Sequence, residues 1–298
     1  MKSKLMVAGL AALTSMTSMV SVGAHADDTV FVHDRERGEL SPGTGAPTRE
    51  RMVNAIKSAS PTALYAMLEY GERVECFECI PLLADKLLSS DNAQTREISA
   101  WWLRRRSFGL GPIMVRMRKV IETDADPVMR SRAAEALGEF LDPHAVPSLE
   151  KAVMEDRAVD VRKAAVRALG RLNAVAGLPS LTAALEDEDA SVRKAALEQV
   201  TRVNFFADDA ALIARLADED AAVRRAAAQL AGERRIADTV DPLMGLLMTD
   251  ESPQVRQAAA ISLGRIGGSD AREALRDAQK VEDHDLVRGA IDVALRMR

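Results

Sequence analysis

Aromatic residues are nearly missing from this chain: Phe, Tyr and Trp make up 3% of its 298 residues. Alanine and leucine abound instead, a composition that suits tightly packed helices in which Ala lets backbones approach and Leu fills the gaps. Long apolar runs are missing too. After residue 26 no stretch reaches the ~20 mostly apolar residues a membrane-crossing helix requires. Excess positive charge is also lacking, since the formal net charge is −5. An acidic chain is not a general nucleic-acid binder, because phosphate neutralisation needs a basic face. Enzyme signatures are absent: no Gly-rich phosphate loop, no Gly-x-Ser-x-Gly elbow and no His-Glu-x-x-His. Two cysteines leave a single possible pair, Cys76 and Cys79.

The first residues read as an export signal. Lys2 and Lys4 precede the apolar run Leu5 to Leu13, and Ala24-His25-Ala26 forms a small-residue cleavage site before Asp27. Residues 1–26 are therefore assigned as a signal peptide, which places the mature protein in the periplasm or outside the cell. Removing the two lysines takes the net charge from −5 to −7. Residues 27–47 are mostly polar with Gly and Pro, and are expected to form a mobile arm. Residues 48–298 form the folded domain, with no membrane insertion expected after cleavage.

That domain is organised by a period. Asp126-Pro-Val-Met-Arg130, followed by Ala133-Ala134 and Ala136-Leu137-Gly138, returns in variant form as Val-Arg with its own following small residues, so that the arginines stand at 130, 162, 193, 224, 256 and 288, in steps of 31 or 32 residues. Arg96 lies 34 residues before the first of them. Such a fixed period is the mark of a stacked repeat array. Thr48 and Ser60, followed by Pro61, are helix-start signals, and a short helix is expected to end at Gly71. Asp126, Asp189 and Asp220 stand four residues before their arginines, where a carboxylate caps a helix N-terminus. Pro127 and Pro253 fit a first helical turn. Gly138, Gly170, Gly232 and Gly264 follow their arginines by eight residues and are expected to end the Arg-bearing helices in a left-handed conformation. The second helix of each pair is expected after the Arg-bearing one, as over 145–155, 176–186, 207–217, 239–248 and 271–281.

The Asp-x-x-Val-Arg, Ala-Ala, Ala-Leu-Gly pattern resembles the short HEAT-like repeat, the type first named for phycobilisome lyases. The resemblance is clearest over 126–288 and fainter over 91–123 and 48–90. It implies an all-α, right-handed α-solenoid of about seven helix pairs. It also implies a polar ladder between neighbouring repeats, made by Asp126 with Arg130, Asp189 with Arg193, and Asp220 with Arg224. Arg162 and Arg256 lack the Asp at minus four, having Ala158 and Ser252 there, and Arg288 has His284. Nearby Asp156, Glu251 and Asp283 are substitutes within reach. Some HEAT-like proteins are di-iron hydroxylases using His-Glu pairs. This chain has no His-Glu dipeptide, so that activity does not carry over.

Three features remain as site candidates. Cys76-Phe-Glu-Cys79 precedes Pro81, and an exported location favours a disulfide that staples a helix start. A redox site is the alternative, since a thiolate at a helix N-terminus is activated. Ile80 stands where haem attachment needs His, and the scattered His33, His144 and His284 offer no zinc set, so no cofactor or metal is expected. Trp101 occupies the position five after Arg96, where other repeats place Glu135, Arg167, Glu198, Gln229 and Ile261. An exposed indole there would be an interface anchor; the alternative is that the N-terminal helices fold over Trp101 and Trp102. Arg104, Arg105, Arg106, Arg116, Arg118 and Lys119 follow, with no acid between residues 98 and 121. This stretch reads either as a solvated face or as a docking site for an acidic partner or an anionic envelope surface. The sequence thus points to a non-catalytic exported scaffold for protein partners, with Trp101, Arg104, Arg105, Arg116 and Arg118 as its binding residues. A redox or maturation factor acting through Cys76 and Cys79 is the alternative.

Overall fold

The computed structural model describes residues 46–203 and 206–297. The expected signal peptide and nearly all of the expected arm fall on residues outside the described ones. Sixteen α-helices follow one another: α1 Arg49–Ser58, α2 Pro61–Tyr70, α3 Cys79–Ser89, α4 Ala93–Arg104, α5 Ser107–Thr123, α6 Pro127–Phe140, α7 Val146–Glu155 and α8 Val159–Leu172. The second half holds α9 Leu178–Ala184, α10 Ala190–Val200, α11 Asp209–Ala214, α12 Ala221–Arg234, α13 Val240–Thr249, α14 Pro253–Ile266, α15 Ser269–Val281 and α16 Asp285–Ala294. No strand occurs among the described residues.

The helices form two rows. The Arg-bearing helices α4, α6, α8, α10, α12, α14 and α16 pack each against the next. The other row runs through α3, α5, α7, α9, α11, α13 and α15. Across the rows, each Arg-bearing helix packs chiefly on the helix before it, as α6 does on α5, α8 on α7 and α14 on α13. Pairing therefore runs opposite to the sequence-based expectation, and α16 completes a pair with α15. From α3 onward there are seven pairs, and α1 and α2 extend the two rows by packing on α3 and α4.

The start signals act locally. Thr48 and Ser60 cap α1 and α2 by accepting from the Arg51 and Ala63 N–H groups, and Gly71 closes α2. Asp126, Asp189 and Asp220 cap α6, α10 and α12, accepting from Val128, Ser191 and Ala222. Each such cap contributes about 1 kcal/mol. The residue just before the arginine, Val161, Val192, Val223, Val255 or Val287, is fully buried. Ala133 and Ala134, Ala227 and Ala228, and Ala259 and Ala260, three and four residues after Arg130, Arg224 and Arg256, are all buried.

The conserved-looking glycines do something other than end helices. Gly138, Gly170, Gly232 and Gly264 sit inside α6, α8, α12 and α14. The left-handed residues come later, at Leu141, Asn173, Arg235 and the Gly267-Gly268 pair. A Cβ on Gly138 would fall 2.9 Å from Ala168 Cα, and one on Gly264 would fall 2.7 Å from Ala294 Cα. Gly170 and Gly232 face Gln199 and Ser262 as closely. These glycines are where one Arg-bearing helix touches the next, and only a residue without a side chain permits that approach.

Candidate functional site: ladder, disulfide and arginine-lined groove

Five of the motif arginines do the same thing. Arg130 reaches Asp156 with Nε at 2.7 Å and Nη2 at 2.8 Å, and its Nη1 donates to the carbonyls of Asp124 and Ala125. Arg162 takes Asp187, Arg193 takes Asp218, Arg224 takes Asp250 and Arg256 takes Glu282 in the same two-pronged way. Each acid also accepts the N–H of the residue two further on, as Asp218 does from Asp220. The ladder partner is thus the acid 25 or 26 residues downstream, not the Asp at minus four. Asp126, Asp189 and Asp220 are caps alone. The rungs of Arg162 and Arg256 are complete, and neither needs the minus-four position. Arg96 departs from the pattern: it meets Glu135 at 3.4 Å and leaves its buried Nε without a partner. Arg288 is exposed on α16.

The electrostatics follow from this geometry. The hydrogen bond to its acid holds each of Arg130, Arg162, Arg193, Arg224 and Arg256 above the ordinary arginine range, against desolvation. Burial alone would raise Asp156 and Asp218, but the guanidinium and the backbone N–H outweigh it and both end lowered. Glu282 is lowered chiefly by its bond from Arg256. Buried ion pairs add little net stability, because desolvation offsets attraction. Their fixed geometry selects the register of one repeat on the next. Most of the ladder's donors are thus committed within the fold.

The structure divides the five residues expected to bind. Trp102 is fully buried, with Arg106 stacked 3.3 Å from its ring centroid. Arg106 is buried too, donates to the carbonyls of Trp102, Glu72 and Val74, and is pulled down to about 10 by desolvation, against the pull of Glu72. Trp101 is half-buried, covered by Arg105 at 3.9 Å. Arg105 is also paired with Glu72 at 2.7 Å. Arg116 turns to Asp85 on α3 at 2.6 Å, whereas Arg118 turns to the buried Asp142 beyond α6. The run of cations is therefore not one patch: Arg116 and Arg118 point to different neighbours, away from the end of α4.

Arg104 alone opens onto a recess. It donates to the Glu139 carbonyl at 3.2 Å and lines a cavity of about 400 Å³ with Arg171, Arg202, Leu141 and Asn173. Arg171 closes on the Glu139 carboxylate from the other side. A second groove of about 330 Å³ adjoins it, shares Glu139 and Arg171, and is floored by Ala100, Ala136 and Ala168 beside Leu87. Sequence reasoning missed Arg171 and Arg202. The signal was available: nine residues after Arg96, Arg130, Arg162, Arg193, Arg224 and Arg256 stand Arg105, Glu139, Arg171, Arg202, Glu233 and Arg265, a charged residue in each of these six repeats.

Cys76 and Cys79 form a disulfide across the entry to α3, with Cα atoms 5.2 Å apart and both residues buried. Among the described residues no group of three or more His, Cys, Asp and Glu is placed to hold a metal ion. No helix among them is long and apolar enough to cross a membrane.

Two rows of antiparallel helices, tied by a repeating Arg–acid ladder, define an α-solenoid. The family model for HEAT repeats matches residues 115–201 and 210–296, more than half of the chain. The protein belongs to the HEAT-repeat family. No curated protein matches its sequence significantly. Among solved structures it is similar to YibA of Escherichia coli, with 17% identity over 85% of this chain and 93% of that one, at a TM-score of 0.56. Yeast importin-β matches 83% of this chain at 13% identity and a TM-score of 0.55, and this chain spans 38% of it. The Nostoc phycocyanin lyase complex of CpcE and CpcF covers 82% of the chain and 98% of its own at 18% identity, but its TM-score of 0.37 carries no argument. The likenesses to YibA and importin-β establish the fold.

Proposed function

We propose that the protein is an exported, non-catalytic scaffold that binds a protein partner along its row of Arg-bearing helices. The observation that carries this is the pair of adjoining grooves on that row, where charged side chains ring a floor of buried alanines. A solenoid presents such a surface over several repeats and suits extended contact. Export, with the periplasm as destination, is supported by Lys2, Lys4, the apolar run and Ala24-His25-Ala26. A disulfide with no other cysteine in the chain agrees with an oxidising compartment. Burial of both sulfurs favours a staple over a redox site, which needs an accessible thiolate.

The test is affinity capture from envelope extract with the mature chain, beside Trp101→Ala and Cys76→Ser. A partner retained by Cys76→Ser agrees with a scaffold, and one lost only with Cys76 would shift the reading to redox. If Trp101→Ala lowers stability and leaves affinity unchanged, the indole is core. Failure to enrich any protein over a blank matrix sinks the scaffold reading.

A further inference from the structure

Arg104, Arg171 and Arg202 come from α4, from α8 and from the turn after α10, yet line one recess. Its one acid is Glu139, already held by Arg171. Arg104 meets only a carbonyl there, and Arg202 is exposed and in no ion pair among the described residues. Three guanidiniums against one carboxylate leave the recess positive on a chain whose net charge is negative. A carboxylate is the group that arginine forks match.

The recess is not isolated. It runs into the groove floored by the small, closely packed Ala100, Ala136 and Ala168, with the exposed Ala93 as its accessible apolar residue. Leu141, half exposed, stands at the mouth of the recess. Such a floor offers little to a phosphate or a sugar and accepts short aliphatic side chains. The chain's overall negative charge opposes the approach of an anionic membrane or a polyanion. We propose that the two grooves together take an acidic segment of a partner polypeptide, with one or two carboxylates among Arg104, Arg171 and Arg202 and small apolar side chains on the alanine floor. This rests on the scaffold reading and names the chemistry of its partner.

The probe is a labelled twelve-residue peptide of Glu, Ala and Leu, followed by fluorescence anisotropy with the mature chain, against its Gln counterpart. The Glu peptide binds, and added salt weakens it. Arg202→Glu weakens it by about tenfold or more, and Arg104→Gln weakens it too, because each removes a charge facing the ligand. Arg116→Gln, outside the grooves, leaves binding unchanged. Circular dichroism melting of Arg202→Glu matches wild type, since the exposed Arg202 side chain makes no hydrogen bond or ion pair among the described residues. Equal affinity for the Gln peptide, or indifference to Arg202→Glu, overturns the proposal. So does displacement of the peptide by millimolar inorganic phosphate, which would mark a plain anion site. Tighter Arg202-dependent binding to phosphatidylglycerol-containing vesicles overturns it in favour of a membrane surface. A partner captured from extract equally well by Arg202→Glu sinks this inference and leaves the scaffold standing; failure of capture by wild type sinks the scaffold itself.

Discussion

Replacing Gly138 by Ala sets two known effects against each other. Helix propensity alone favours the change by about 1 kcal/mol, because Ala orders with less loss of backbone entropy. Packing opposes it. The new Cβ would fall 2.9 Å from Ala168 Cα and 3.0 Å from Ala168 Cβ. The first of these is backbone of α8, which is pinned on its far side by α10 and below by α7. It has no rotamer through which to yield, so α6 and α8 must separate, and overpacking of this kind costs about 1–3 kcal/mol. The net expectation is a loss of about 1 kcal/mol. Gly245→Ala is the matched control. Gly245 lies in α13, is exposed and has nothing within 4 Å of its absent Cβ, so only the propensity gain remains. Urea unfolding of the mature chain should move the midpoint down for Gly138→Ala and up for Gly245→Ala. If both move up together, the close approach of α6 to α8 is not what that glycine provides, and the account of all four glycines fails with it.

Two further outcomes follow from the ladder and the staple. Asp156, Asp218 and Glu282 are lowered in the folded chain, so their stabilisation is present above the unfolded pKa of about 4 and is lost as pH falls through their folded values. The urea midpoint should therefore drop between about pH 5 and pH 3. Asp218→Asn should reduce that slope while costing about 3 kcal/mol at neutral pH, because it strands the buried Arg193; an unchanged slope would refute the assignment. The Cys76–Cys79 bridge closes a very short loop and should contribute about 2 kcal/mol on the chain-entropy account. Neither cysteine should alkylate without reductant in mature protein, and two freely alkylated thiols would refute the staple.

What was legible in the sequence was local or periodic. Thr48, Ser60, Asp126 and Pro127 announce helix starts because a cap acts within three residues of itself. The period announces the stacking. What failed depended on a partner a repeat away. Gly138 looks the same whether it bends the chain or admits Ala168, and only the neighbour, thirty residues on, decides. The ladder acids were misassigned for a related reason. Asp187 and Asp189 stand two apart, one turned to Arg162 and one capping α10, and the loop that separates their roles cannot be read from spacing. The basic run misled in the opposite direction. Arg116 and Arg118, close in sequence, diverge on α5, while Arg104, Arg171 and Arg202, far apart in sequence, converge.

The joint between α10 and α12 shows how the ladder and the glycines divide their work. Here the position eight after the arginine is Thr201, not Gly, and α10 has 11 residues where α6, α8, α12 and α14 each have 14. A β-branched residue cannot enter the tight crossing, so the helix stops one residue short of it. Contact between α10 and α12 is the thinnest in that row from α6 onward. The vacated turn is filled by Val203 and Phe206, both buried, and Arg234 of α12 donates to the Phe206 carbonyl at 2.7 Å. Yet the rung across this joint is the most enclosed of all, with Arg193 and Asp218 side chains 6% and 3% exposed and Glu219 added at 3.2 Å. Close helix packing and register are therefore separable. The glycines set how near the helices come, the ladder sets which residues face each other, and the array keeps its register where the packing is relaxed.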